Sequence, residues 1–207
     1  DPAQVRDASI AVVAPDGFMA EATSENLLMG AAMSRRSMYM YGSRLPRSPR
    51  GLVDNGLGKA VAYGAIGILQ PNQLVTTTPQ EITLDGVRFV FHNVPGSEAP
   101  AELTFSLPDL HAYCGAEMVS QTLHNLYTPR GAKVRDARRW SQYIDEALGH
   151  AADAEVYFGT HHWPVWGQAA IHDFLARQRD VYAYLHDQTV RMMNAGMGPR
   201  EIAETLQ

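Results

Sequence analysis

The chain has 207 residues, enough for one domain with its own core, or one domain plus an appendage. With 45% apolar and 19% charged residues and a formal net charge of −5, it is neither a largely disordered chain nor a general nucleic-acid binder. No run of about 18 uncharged apolar residues occurs, so no membrane-spanning helix is expected, and the single cysteine, Cys114, excludes an internal disulfide framework.

The first residues are polar and carry no signal-peptide core. Residues 9–14 read as a buried strand that ends at the turn signal Pro15-Asp-Gly17. A helical stretch is expected from Phe18 to Tyr41, with Ser24 and Glu25 capping its second part and Leu27, Leu28, Ala31 and Ala32 forming an apolar face. Residues 42–65 hold two prolines and five glycines and read as a long loop, a length that usually lines a site. Strands follow. Ile82–Leu84 and Val87–Phe91 flank Asp85-Gly86, a dipeptide suited to a two-residue type I′ hairpin. Leu103–Leu107 and His111–Cys114 are two further strands. Helix returns over 134–148, where Trp140, Ile144 and Leu148 are spaced by four. A strand over 155–158 leads to a long helix over 167–194 carrying Ile171, Phe174, Leu175, Val181, Leu185 and Met192, and Pro199 opens a last helix. Strands flanked by helices on both sides fit an α/β layered domain.

Three segments place a carboxylate or imidazole where an apolar strand gives way to a loop: Val94 to Glu102, Cys114-Gly-Ala-Glu117, and Thr160-His161-His162-Trp163-Pro164. Strand ends are where layered α/β folds position chemistry, and Glu and His are both zinc ligands. Bland readings stand beside this one. Glu98 also reads as a solvated loop residue, Glu117 as a helix cap, and His161 with His162 as a loop pair or a satisfied core histidine. A fourth segment, Gln121 to Arg135, mixes amide, hydroxyl, imidazole and guanidinium groups. Arg130 and Arg135 suit an oxyanion, with Asn125 and Thr128 as neutral donors; the alternative is pairing with Asp136 or Asp145. Cys114 reads as a buried small hydrophobe, and Met29, Met33, Met38 and Met40 as helix packing or the wall of an alkyl site.

Together these segments resemble the alkylsulfatase branch of the metallo-β-lactamase superfamily, enzymes that degrade dodecyl sulfate. The resemblance rests on Ala31-Ala-Met-Ser-Arg-Arg36, Val53-Asp-Asn-Gly-Leu-Gly58, Pro95-Gly-Ser-Glu-Ala-Pro-Ala-Glu102, Ala116-Glu117, Thr122-Leu-His-Asn-Leu-Tyr127, Arg130-Gly-Ala132, His161-His-Trp-Pro164 and His186-Asp-Gln-Thr189, and it covers nearly the whole chain. It implies an α/β fold, the second part of an αββα sandwich over residues 1–165, with residues 166–207 leading into a helical dimerisation region. It further implies two zinc ions, with Glu98, Glu117 and His162 among their ligands, and a metal-activated water rather than a side chain as nucleophile. Asn125, Leu126, Tyr127, Thr128, Arg130 and Arg135 match the stretch that grips the sulfate. Met33, Met38, Tyr39, Tyr41 and Leu57 are candidates for the wall around the alkyl chain. A homodimer and a periplasmic or secreted location also follow from the resemblance alone.

The family's HxHxDH zinc motif does not occur in this sequence. A fragment of a longer enzyme is therefore expected, lacking that motif and the family's C-terminal sterol-carrier-like domain. Zinc-dependent hydrolysis of alkyl sulfate esters is the leading reading. The alternatives are hydrolysis of another anionic ester on the same scaffold, or a non-catalytic fragment with an incomplete metal site.

Overall fold

The computed structural model describes residues 10–55 and 67–206, which divide into two compact units. The first comprises residues 1–76 with 127–134, the second residues 77–126 with 135–207. Ser9, Leu57, Gly56 and Gly58 lie outside the described residues.

In the first unit β1 (Val13–Pro15) pairs in parallel with β2 (Gln73–Val75), and Val75 is fully buried. The Asn72 side chain extends this pairing: its Oδ1 accepts from Val12 N at 2.8 Å and its Nδ2 donates to Ile10 O at 2.9 Å. The expected single helix is broken. α1 (Phe18–Thr23) runs into a π-helical turn over Ser24–Leu28, and α2 (Gly30–Met40) starts afresh. Ser24 does not cap it. Its hydroxyl donates back to Glu21 O, as Thr23 does to Met19 O, and α2 begins at Met29 with no side-chain cap. Hydroxyls that bond the preceding turn loosen a helix rather than start one. Thr128 is buried here and donates to Met40 Sδ at 3.3 Å, and Lys133 pairs with Glu21.

The second unit is a six-stranded sheet in chain order, β3 (Gln80–Leu84), β4 (Val87–Asn93), β5 (Leu103–Leu107), β6 (Ala112–Cys114), β7 (Val156–Phe158) and β8 (Val165–Trp166). Only β6 and β7 pair in parallel. Asp85 (φ 49°) and Gly86 (φ 79°) turn β3 into β4 as the type I′ hairpin requires. One face carries Phe89, Phe91, Phe105 and Phe158, with ring centroids 5.4–6.1 Å apart. Cys114 lies among the buried residues, and burial pushes its thiol up, against a nucleophilic role.

Helices cover the other face. α3 (Ala137–His150) starts at Asp136, whose carboxylate accepts from Arg139 N at 3.0 Å. It buries Trp140, Ile144 and Ala147. α4 (Gln168–Asn194) buries Ile171, Leu175 and Tyr182, and α5 (Pro199–Thr205) follows. Val181, expected on the apolar face, is 40% exposed; Tyr182 takes the core position and stacks on Trp140 at 4.5 Å.

The core is tied to the loops by donated hydrogen bonds. Trp140 Nε1 donates to Met118 O (2.7 Å), Tyr157 OH to Val119 O (2.6 Å), Tyr143 OH to Pro95 O (3.2 Å), Gln178 Nε2 to Ser120 O (3.2 Å) and Tyr182 OH to His124 O (3.2 Å). Each satisfies a carbonyl beside the core, where an unpaired one is costly.

At the last residue of α3, His150 stacks on the buried His92 of β4 with centroids 3.7 Å apart. Burial, reinforced by His150, lowers His92 to about 4, and burial lowers His150 as well. Both imidazoles fold neutral, so the unfolded chain binds more protons as the pH falls below its ordinary histidine value. Stability is therefore expected to drop by about 1–2 kcal/mol between pH 7 and pH 5 from His92. Urea midpoints of unfolding at the two pH values measure this, and His92→Leu should flatten the dependence.

Candidate metal centre

Two loops meet at the ends of the parallel pair β6 and β7. Gly115 N donates to Phe158 O at 2.9 Å and Thr160 N donates to Ala116 O at 3.0 Å. Gly115 is required here, because a Cβ would fall 1.9 Å from the Tyr157 hydroxyl. A third loop, 94–102, leaves β4 and returns to β5. It is closed by Val94 N to Glu102 O and Gly96 N to Ala99 O, each at 2.9 Å.

These loops bring together three side chains. His124 Nε2 lies 3.7 Å from Glu98 Oε1 and 3.8 Å from Glu117 Oε1. Among the described residues this is the group of at least three metal-capable side chains whose ligand atoms all lie within 4.8 Å of one another. The chemistry of the donor set fits a metal ion. His124 Nδ1 faces Asn125 O at 3.0 Å; a carbonyl only accepts, so Nδ1 is the donor there and Nε2 is the ring nitrogen that faces the two carboxylates as a candidate ligand atom. Two carboxylates and an imidazole nitrogen that face one another offer a cation three ligand atoms, and an outward hydrogen bond from Nδ1 is the arrangement that orients ligating histidines.

The surroundings fix each group. Arg135, 7% exposed, pairs with the Glu98 carboxylate, donates to Glu98 O, and reaches Asn125 Oδ1 at 2.8 Å. His161 Nε2 sits 2.9 Å from Glu117 Oε1. Glu102, 8% exposed, lies behind the loops. Its Oε2 accepts from Ser97 Oγ (2.8 Å), Glu98 N (3.1 Å) and Ala99 N (3.2 Å), and its Oε1 accepts from Glu117 N (3.1 Å). Burial pushes Glu102 up to about 7, the Ser97 hydroxyl opposes the shift, and the Glu98 charge adds to it.

Of the residues expected from sequence, Glu98 and Glu117 are adjacent. His162 follows His161 with a left-handed backbone (φ 68°), its ring 6.5 Å from that of His161, and it is not in the triad. Asn125 and Leu126 belong to the same unit as the triad, and Leu126 O accepts from Arg135 N at 3.0 Å. Arg135 pairs with Glu98, while Asp136 caps α3 and Asp145 pairs with Arg179. Tyr127, Thr128 and Arg130 belong to the first unit. There Arg130 lines a cavity of about 770 Å³ with Leu27, Met33 and Ile68. Tyr39 is 88% exposed, and neither it, Met38 nor Tyr41 lines that cavity. His124 and Glu102 were not singled out as site residues by sequence. The available signals were an imidazole seven residues after Glu117, and an acid directly before the strand that opens at Leu103.

The chain is 43% identical over 206 residues to an alkyl/aryl-sulfatase of Saccharomyces cerevisiae and 40% identical over 208 residues to a linear primary-alkylsulfatase of a Pseudomonas species. These matches cover 99% and 100% of this chain but 32% and 31% of the relatives. The solved structure of the stereoselective inverting sec-alkylsulfatase Pisa1 from Pseudomonas superposes with a TM-score of 0.92 and 41% identity, over 99% of this chain and 32% of that one. Over nearly its whole length the chain is similar to proteins named as alkylsulfatases. It spans about a third of the length of these alkylsulfatases. A metallo-β-lactamase family protein of Thermus thermophilus, 14% identical with a TM-score of 0.52 over 86% of this chain and 55% of that one, shares the fold. No family model matches the chain. Among the described residues no helix is long and apolar enough to cross a membrane.

Proposed function

We propose that the protein hydrolyses alkyl sulfate esters, dodecyl sulfate among them, to an alcohol and inorganic sulfate in a zinc-dependent reaction. The reading is carried by the convergence of Glu98, Glu117 and His124 in a chain 40–43% identical to named alkylsulfatases. Glu98 and Glu117 hold the metal, with His124 and the family-matched His162 as imidazole ligands and a second zinc ion bound by the complete enzyme. Zinc held by these residues would supply Lewis-acid charge and would activate water as the nucleophile. Arg135 keeps the Glu98 carboxylate turned toward the centre and His161 does the same for Glu117. Asn125, Leu126, Tyr127 and Thr128 complete the loop that grips the ester. Arg130, family-matched to the same stretch, offsets the sulfate charge. Residues 166–207 lead toward a dimerisation region, and the working form is a homodimer.

Turnover of dodecyl sulfate and of a nitrophenyl phosphate, measured side by side on zinc-loaded protein, tests the reading. Faster release of sulfate supports it; preference for the phosphate overturns it. Arg130→Ala is expected to lower kcat/KM for dodecyl sulfate about a hundredfold, the scale of losing one donor that acts on developing charge. Zinc content should not change, which initial rates and metal analysis on one sample would check.

A further inference from the structure

We propose that Glu102 is the positioning residue of the metal centre, its buried carboxylate setting the spacing of Glu98 and Glu117 by holding the backbone N–H of both. The inference rests on the metal reading above and goes beyond it, because Glu102 is not in the ligand triad. Among the described residues, the Glu102–Glu117 contact is the hydrogen bond that joins the 94–102 turn to the backbone at 115–118. Without it the two acidic ligands sit on loops that start from different strands, β4 and β6.

The residue type matters. Four donors converge on two oxygens: three backbone N–H groups and one hydroxyl. A carboxylate is acceptor-only and has lone pairs for all four. A glutamine would turn its NH2 against at least one of those N–H groups. An aspartate, one methylene shorter, does not span from the 97–99 turn to Glu117. Glu102 is buried, and the four donors that converge on it satisfy its carboxylate where water does not reach.

The test uses the full-length protein, stripped of metal. Zn²⁺ affinity is read by competition with a chelating dye, ligand geometry by the visible absorption of bound Co²⁺, and folding by thermal melting of the metal-free form. Glu102→Gln is expected to weaken Zn²⁺ binding 10–100-fold, the range for groups that orient metal ligands, and to shift the Co²⁺ bands. If Glu102→Gln does not fold, Glu102→Asp reads the same quantity: it keeps the charge, releases Glu117 N–H, and should weaken Zn²⁺ about tenfold. A folded variant whose Zn²⁺ affinity and Co²⁺ spectrum match the unmodified protein overturns the inference alone, even if its melting temperature falls. Failure of the unmodified protein to bind Zn²⁺ overturns the metal reading and this inference with it.

Discussion

Glu117→Ala is expected to remove bound zinc and lower alkyl sulfate turnover by about a thousandfold or more, while the chain stays folded. The side chain is a third exposed and contributes nothing to the core, so its loss opens no cavity. What it removes is one of three converging ligand atoms and the partner of His161. His124 Nε2 would then face a single carboxylate, and the charge that balances a divalent ion would be halved. On the proposed reading a metal at this centre would supply the Lewis acid and activate the nucleophile, so the effect is expected on kcat rather than on substrate binding. Elemental analysis for zinc and sulfate release from dodecyl sulfate, on the same preparation, measure both. Unchanged zinc content with an unchanged rate would rule out Glu117 as a ligand.

The largest stability effect is expected at Trp140. The indole is fully buried, stacks on Tyr182, and donates Nε1 to Met118 O at 2.7 Å. Trp140→Ala should cost about 3–5 kcal/mol, the usual range for deleting a buried aromatic ring. Trp140→Phe separates the two contributions. It retains most of the packing but strands the Met118 carbonyl, at a cost of about 1–3 kcal/mol. Since Met118 is bonded directly to Glu117, the phenylalanine variant should also weaken zinc binding. Chemical denaturation, with zinc titration of the folded variant, reads the two effects separately.

The sequence made local decisions legible and long-range ones obscure. Asp85-Gly86 specifies its hairpin because positive φ at two consecutive positions leaves few other residues. Leu103–Leu107 appears with the expected bounds, and the helix over 168–194 ends where Asn194-Ala-Gly196 suggested. Asp136 is the cap, yet the helix was expected to start three residues before its first residue Ala137, at Val134. The break at Met29 was not readable, since Ser24 followed by Glu25 has the look of a start signal. Nor was the pairing of β1 with β2, which joins residues 60 apart. In the site, Glu98 and Glu117 stood out because each lies in the loop that follows an apolar strand. His124 and Glu102 owe their positions to contacts with other loops, and pattern along the chain is blind to those.

The bonds that hold the loops share a property with consequences for how the protein changes. Trp140, Tyr143, Tyr157, Gln178 and Tyr182 all donate to main-chain carbonyls, and Glu102 accepts from main-chain N–H groups as well as from Ser97. Almost all of that scaffolding is indifferent to which side chains the loops carry. Leu123, 51% exposed, can be exchanged without loosening the frame, whereas Gln121 belongs to it through its bond to Trp163 O. The substrate profile of this centre is thus free to drift, or to be engineered, by surface substitutions in the loops, while the helical core that fastens their backbone stays untouched.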